Sequence, residues 1–209
     1  DLKQFSEIVP DSLLIENGAD IGKFADTASR RARRRIVTIG RFSVNKRLDH
    51  LLDAMAELKT RNAEWHLDIV GAESDQNRAD VEAAIEGRDL SGRVTLHVSP
   101  DNAAIRRIIA DASLFASASE YEGFGLVALE AMSAGLLPVL NANDAFTTLA
   151  GRHPVITLAD FTNPETAATG IEAAYETLAR QPDAVRAGLL DAARGYSWDI
   201  VAGRYIDLY

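Results

Sequence analysis

The chain has 209 residues, a net charge of −9, no cysteine, and a mix of 47% hydrophobic and 25% charged residues. That balance fits one globular α/β domain with a full core. It excludes disulfides and thiolate metal sites, suits a reducing compartment, and argues against a nucleic-acid binder, which carries a basic footprint.

No apolar run reaches the roughly 18–20 residues of a membrane span. No signal peptide is visible, and a start at Asp1 is expected of a processed product or an excised piece of a longer protein. Residues 1–35 read as a lead-in segment and 36–209 as the folded domain. The lead-in ends in a basic run, Arg30, Arg31, Arg33, Arg34 and Arg35. It is expected to be a solvated connector; contact with anionic lipid headgroups or a lipid-linked phosphate is the minority reading.

From residue 36 short β-branched runs alternate with longer helical ones. Ile36–Ile39 reads as a strand, followed by a helix whose Leu48, Leu51, Leu52, Met55 and Leu58 recur at helical spacing. Strands are expected at Trp65–Val70, Val94–Val98, Ser113–Ala116, Leu136–Leu140 and His153–Leu158. Helices are expected at about 77–86, 102–110, 126–134, 164–180, 183–194 and 198–208, the one at 102 after a Ser-Pro-Asp start signal. Repeated β-α units of this length predict a Rossmann-like parallel sheet with helices on both faces. Ligands of such sheets sit outside the carboxyl ends of the strands. The loops after Ile39, Val70, Val98, Ala116 and Leu140 form that edge, which brings Gly40, Gly71 and His97 into consideration.

The most informative stretch is Ser119-Glu120-Tyr121-Glu122-Gly123-Phe124-Gly125-Leu126-Val127-Ala128-Leu129-Glu130. A Gly-x-Gly turn opening a helix favours an anion, because unpaired N–H groups and the helix dipole both point at it. Carboxylates on either side make sense if the ligand is a diphosphate with hydroxyl-rich groups at both ends, since carboxylates accept from diols. A nucleotide-sugar has that shape. In the first loop, Gly40 lets the chain turn, Arg41 can present a planar fork to phosphate oxygens, and Lys46 adds a point charge.

These segments resemble the C-terminal, donor-binding domain of retaining glycosyltransferase family 4, in the two-domain fold called GT-B. Ile15–Asp20 with Lys23-Phe24 resembles the family's Pro-Asn-Gly-Val-Asp entry segment. Gly40-Arg41 through Lys46 resembles its phosphate loop, Glu122 and Glu130 fall on its Glu-x7-Glu motif, and Tyr196-Ser197-Trp198 resembles its Phe-Ser-Trp segment. The resemblance implies that Arg41 and Lys46 neutralise the departing diphosphate, Glu122 holds donor-sugar hydroxyls and Glu130 the ribose diol. Backbone amides at Phe124, Gly125 and Leu126, beside Gly123, would cradle phosphate. His97 is a candidate donor contact from its place near the binding edge, not from the resemblance.

It further implies a hexose transfer without metal or other cofactor, cytoplasmic and at most peripheral to the membrane. The acceptor would be a saccharide or lipid-linked intermediate, held by an N-terminal domain absent from this chain. The chain alone is then expected to bind donor, with GDP-mannose favoured, and to transfer sugar poorly or not at all. The chain departs from the family at Asn141–Phe146, at Gly135–Val139, and at His97-Val98-Ser99-Pro100. Sugar contacts from the first and base contacts from the last are not carried over. Two rivals remain: a non-catalytic nucleotide-sugar-binding module, and a nicotinamide-dependent oxidoreductase suggested by Gly123-x-Gly125-x-x-Ala128 with Asp144 beyond it.

Overall fold

The fold was obtained as a computed structural model, and it describes residues 17–207. The strands are β1 (Arg35–Ile39), β2 (His66–Gly71), β3 (Val94–Val98), β4 (Leu114–Ser117), β5 (Leu137–Asn141) and β6 (Thr157–Ala159). The helices are α1 (Leu48–Arg61), α2 (Arg78–Glu86), α3 (Asn102–Asp111), α4 (Leu126–Ala134), α5 (Asp144–Arg152), α6 (Pro164–Arg180), α7 (Pro182–Arg194) and α8 (Trp198–Ile206). All strand pairs are parallel, in the order β3-β2-β1-β4-β5-β6. The helices cover both faces, so the central strands are buried on both sides: every residue of β4 is buried, as are Leu67 to Val70 of β2, the carboxylate of Asp68 included.

Helix α1 buries Leu48, Leu51, Leu52, Met55 and Leu58, the five residues whose spacing marked the helix. Helix α4 is buried nearly all round, from Ala128 to Ala134 excepting Glu130, so its start is fixed by the core. Strand order reverses between β1 and β4. These two strands pair over only Ile36↔Leu114 and Val37↔Phe115, whereas β1 pairs with β2 along its whole length. Beyond Val37 the sheet therefore opens at its carboxyl edge.

Two elements differ from expectation. Residues 153–156 form a turn, and the last strand begins only at Thr157; Pro154 has no N–H to give a ladder, and His153 caps the preceding helix instead. That helix, α5, was not expected. Asn143 starts it by accepting from the Phe146 amide, and Phe146 and Leu149 are its buried face.

The described part of the lead-in packs onto the domain. Phe24 and Ala28 are core residues, Asp26 and Ala28 donate backbone bonds to the Ser133 and Ala134 carbonyls, and Arg186 Nε holds Asp26 at 2.8 Å. Four of the five arginines of the run are paired, while Arg31 is exposed. Arg30 bonds Asp26, Arg33 bonds Asp111, Arg34 bonds Glu64 and lies over the Tyr175 ring, and Arg35 grips the fully buried Asp68 through two nitrogens.

Gly71 is required by a close approach: a Cβ there would lie 1.7 Å from the Gly40 carbonyl oxygen. Gly71→Ala must push the ends of β1 and β2 apart, an overpacking cost of about 1–3 kcal/mol. Thermal melts should show a loss of about 2–4 °C per kcal/mol. His66 supplies a pH dependence. Burial holds its imidazole below the usual range, outweighing the opposing pull of Asp68. A histidine neutral in the fold contributes stability that is fully present above its unfolded pKa of about 6.5 and is lost as pH falls from there towards its folded value. The drop in melting temperature between about pH 7.5 and 5.5 should shrink in His66→Gln.

Candidate functional site

The opened edge between β1 and β4 holds a cleft of about 1490 Å³. Its floor is built by two loops. The loop after β1 makes a short 3-10 turn at Val44–Lys46 and leaves through Arg47, a non-glycine residue at φ 46°. It is pinned to the loop after β2 by the Phe42 amide on the Ala72 carbonyl and by the Val44 amide on Asp75. The loop after β4 carries Glu120 to Gly125 into α4. Asn45 joins the two loops: its side-chain amide donates to the Tyr121 carbonyl at 2.8 Å and accepts from the Tyr121 amide at 3.0 Å, while its own carbonyl accepts from Glu120.

Fixed in this way, Lys46 and Glu122 meet at 2.5 Å, both largely shielded from solvent. The Lys46 stem lies across Gly40, 3.1 Å from where a Cβ would be. Arg41 lines the same cleft from an exposed position, and Gly123, Phe124, Gly125 and Leu126 line it too, Gly125 buried and Phe124 half-buried. Gly125, at φ 82°, caps α4 in the left-handed region; a Cβ would also strike the Phe146 ring at 2.9 Å. The first amides of α4 precede its first internal hydrogen bond and open at the turn.

Three expected site residues have other surroundings. Glu130 is not among the residues lining the cleft. Its carboxylate lies 3.8 Å from Lys23 Nζ, and burial raises its pKa, with Lys23 opposing and the Asp20 charge adding. His97 projects from β3 beside Val70 and its Nε2 bonds Asp68 at 2.8 Å, so its ring serves the buried Arg35–Asp68 pair. Gly71 acts at the strand end described above. Among the described residues no group of three or more His, Asp or Glu side chains is placed to hold a metal ion.

The family model described as "Glycosyl transferases group 1" matches residues 22–186. This chain belongs to that family. It is 36% identical over 207 residues to the GDP-mannose:cellobiosyl-diphosphopolyprenol alpha-mannosyltransferase of Xanthomonas campestris, covering 98% of this chain and 54% of that protein. The enzyme of the same name from Komagataeibacter xylinus is 36% identical over 200 residues, covering 94% and 50%. This chain spans about half the length of the curated relatives it matches. Among solved structures, Anabaena Alr3699/HepE in complex with UDP and glucose superimposes with a TM-score of 0.79 at 19% identity, over 98% of this chain and 60% of that one.

Within this family member the cleft has a second wall that the sequence did not reveal. Helix α5 lines it with Asp144, Ala145, Thr147, Thr148, Leu149 and Arg152. Three contacts clamp α5 to the β4–α4 loop. Asn143 caps it and donates from Nδ2 to the Ser119 carbonyl at 3.0 Å; Phe146 lies under Gly125; and His153 Nε2 bonds the Tyr196 hydroxyl, whose ring stands edge-on to Phe124. The local signal was an Asn-Asp helix start with apolar residues three apart. Asn45 left no such signal, because its partner is 76 residues away. Asn143→Ala should cost about 0.5–2 kcal/mol and speed hydrogen exchange in α5 more than in α1.

Proposed function

We propose that this chain is the donor-binding half of a glycosyltransferase that moves mannose, with retention, from GDP-mannose to a lipid-linked saccharide diphosphate. The observation that carries the reading is the Lys46–Glu122 contact at the mouth of α4, in a cleft at the point where strand order reverses. The donor's diphosphate takes the Gly123–Leu126 turn and the cations of Arg41 and Lys46, and Glu122 passes from the ammonium to hexose hydroxyls. Glu130 sits one helical turn beyond Leu126, about 6 Å along the axis, a distance that brings a ribose diol within its reach.

Chemistry in such a site is electrostatic. As the glycosyl carbon passes from the diphosphate oxygen to the acceptor hydroxyl, charge grows on the leaving group, and fixed positive groups meet it without reorganising. The choice of donor and acceptor rests on the two mannosyltransferases that are 36% identical to this chain. A nicotinamide enzyme is disfavoured, since Gly123-x-Gly125 follows β4 rather than the first strand and the family match runs across it. Acceptor capture belongs to the remainder of the polypeptide, and contact with a membrane surface follows from a lipid-linked acceptor.

Calorimetry on the full-length protein tests this. Glu122→Ala and Arg41→Ala each remove a charge-assisted contact of about 1.5–3 kcal/mol, so GDP-mannose should bind roughly 10–150-fold more weakly. Wild-type affinity in both variants, or tighter binding of NADH than of GDP-mannose, rules the reading out.

A further inference from the structure

The two acids of the Glu-x7-Glu motif are partnered differently. Glu122 is hydrogen-bonded to Lys46 at 2.5 Å. Glu130 has its cation, Lys23 Nζ, at 3.8 Å, an ion pair beyond hydrogen-bond range. Among the described residues no group donates to the Glu130 carboxylate, so both of its oxygens can accept. Its side chain is only 20% exposed. Burial therefore pushes its pKa up; Lys23 opposes that push and Asp20, the other facing charge, adds to it. Lys23 is fixed where this contact needs it. Its Nζ sits 5.0 Å from the centroid of the buried Phe24 ring. Its amide donates to the Asp20 carboxylate at 3.1 Å, and its carbonyl accepts from Arg106 of α3 at 2.6 Å. Just beyond it, the Asp26 and Ala28 amides take the Ser133 and Ala134 carbonyls, which a helix end leaves without internal partners. The lead-in thus docks on the last turns of the helix that carries Glu130.

We propose that Lys23 is a positioning residue of the donor site: its charge keeps the Glu130 carboxylate anionic, while its distance leaves both carboxylate oxygens to the ribose diol. This rests on the reading above, in which Glu130 takes that diol. An ionised acceptor holds a hydroxyl roughly twice as strongly as a neutral one, and the acid form spends one oxygen on its own proton. A lysine hydrogen-bonded to Glu130 would compete with the diol for the same lone pairs. At 3.8 Å it supplies charge without competing. Lys23 acts through Glu130 and touches no part of the donor. The sign of the pH effect follows. Without the lysine, burial and Asp20 act unopposed, so Glu130 takes up its proton at a higher pH. Preference for a ribose diol then fades earlier as pH falls.

The test uses the full-length protein and two probes, GDP and 2′,3′-dideoxy-GDP, titrated by calorimetry between about pH 8 and 5. Their affinity ratio reads the diol alone, because base and phosphates are common to both. Lys23→Met and Lys23→Gln should each shrink the ratio at least about threefold at the acid end and move its fall to higher pH. Lys23→Arg should restore both. In a Glu130→Gln background Lys23→Met should change the ratio no further, since the two residues act as one unit. A wild-type ratio at every pH in Lys23→Met and Lys23→Gln overturns the proposal. Equal loss of both probes does so too, and would make Lys23 a phosphate contact or a structural support. So does a smaller ratio whose fall stays at the wild-type pH. A wild-type protein that binds both probes equally is a different result: it removes the ribose assignment of Glu130, and this one with it.

Discussion

The structure depends on one constraint, the side-by-side parallel pairing of β1 with β4. Each right-handed crossover lays its helix over the sheet, and where the order turns from β1 to β4 the two neighbouring chains leave in opposite directions. Only two residue pairs hold those strands together, so their carboxyl ends diverge. The gap that results cannot be filled by core side chains, because both strand exits must turn away at the surface. Nothing about ligand chemistry is needed to make the cleft; strand order alone produces it.

What the residues add is precision. Asn45 ties the two loops on either side of the gap through three hydrogen bonds, all to backbone groups, so the tie leaves side chains free for other work. Lys46 and Glu122 are thereby set against each other instead of facing water. Each satisfies the other, and the desolvation that would otherwise penalise either charge is offset. A bound diphosphate and sugar can exchange into these contacts with little rearrangement of the backbone. Phe146 beneath Gly125 does the same for the far wall, since the ring occupies the space a side chain at 125 would have taken.

Periodicity made the scaffold legible. The five apolar residues of α1 are all buried, and the parallel, doubly covered sheet follows from β-α alternation. The Glu122–Gly125 turn was equally readable, because a Gly-x-Gly turn before an apolar helix has few other uses. Less visible was anything decided between distant segments. Position at a strand end suggested His97, but the buried Asp68 on the adjacent strand decides what its ring does. Glu130 shares a helix with the turn, yet Lys23 of the lead-in segment sets its surroundings. Helix α5 was hidden for a local reason. Asn141–Phe146 reads as a loop of polar residues until Asn143 is seen to cap a helix and to hold the Ser119 carbonyl of the neighbouring β4 loop.

The basic run before β1 bears on the chain before it folds. Five like charges within six positions repel one another in an extended polypeptide and stiffen it. In the native molecule Arg30, Arg33, Arg34 and Arg35 each face a different acid, contributed by the lead-in, α3, the approach to β2, and β2 itself. Collapse thus relieves a strain that exists only in the denatured ensemble, and it does so residue by residue as the first strand finds its neighbours. A segment that looks like a sticky surface when written out becomes, once docked, electrically quiet.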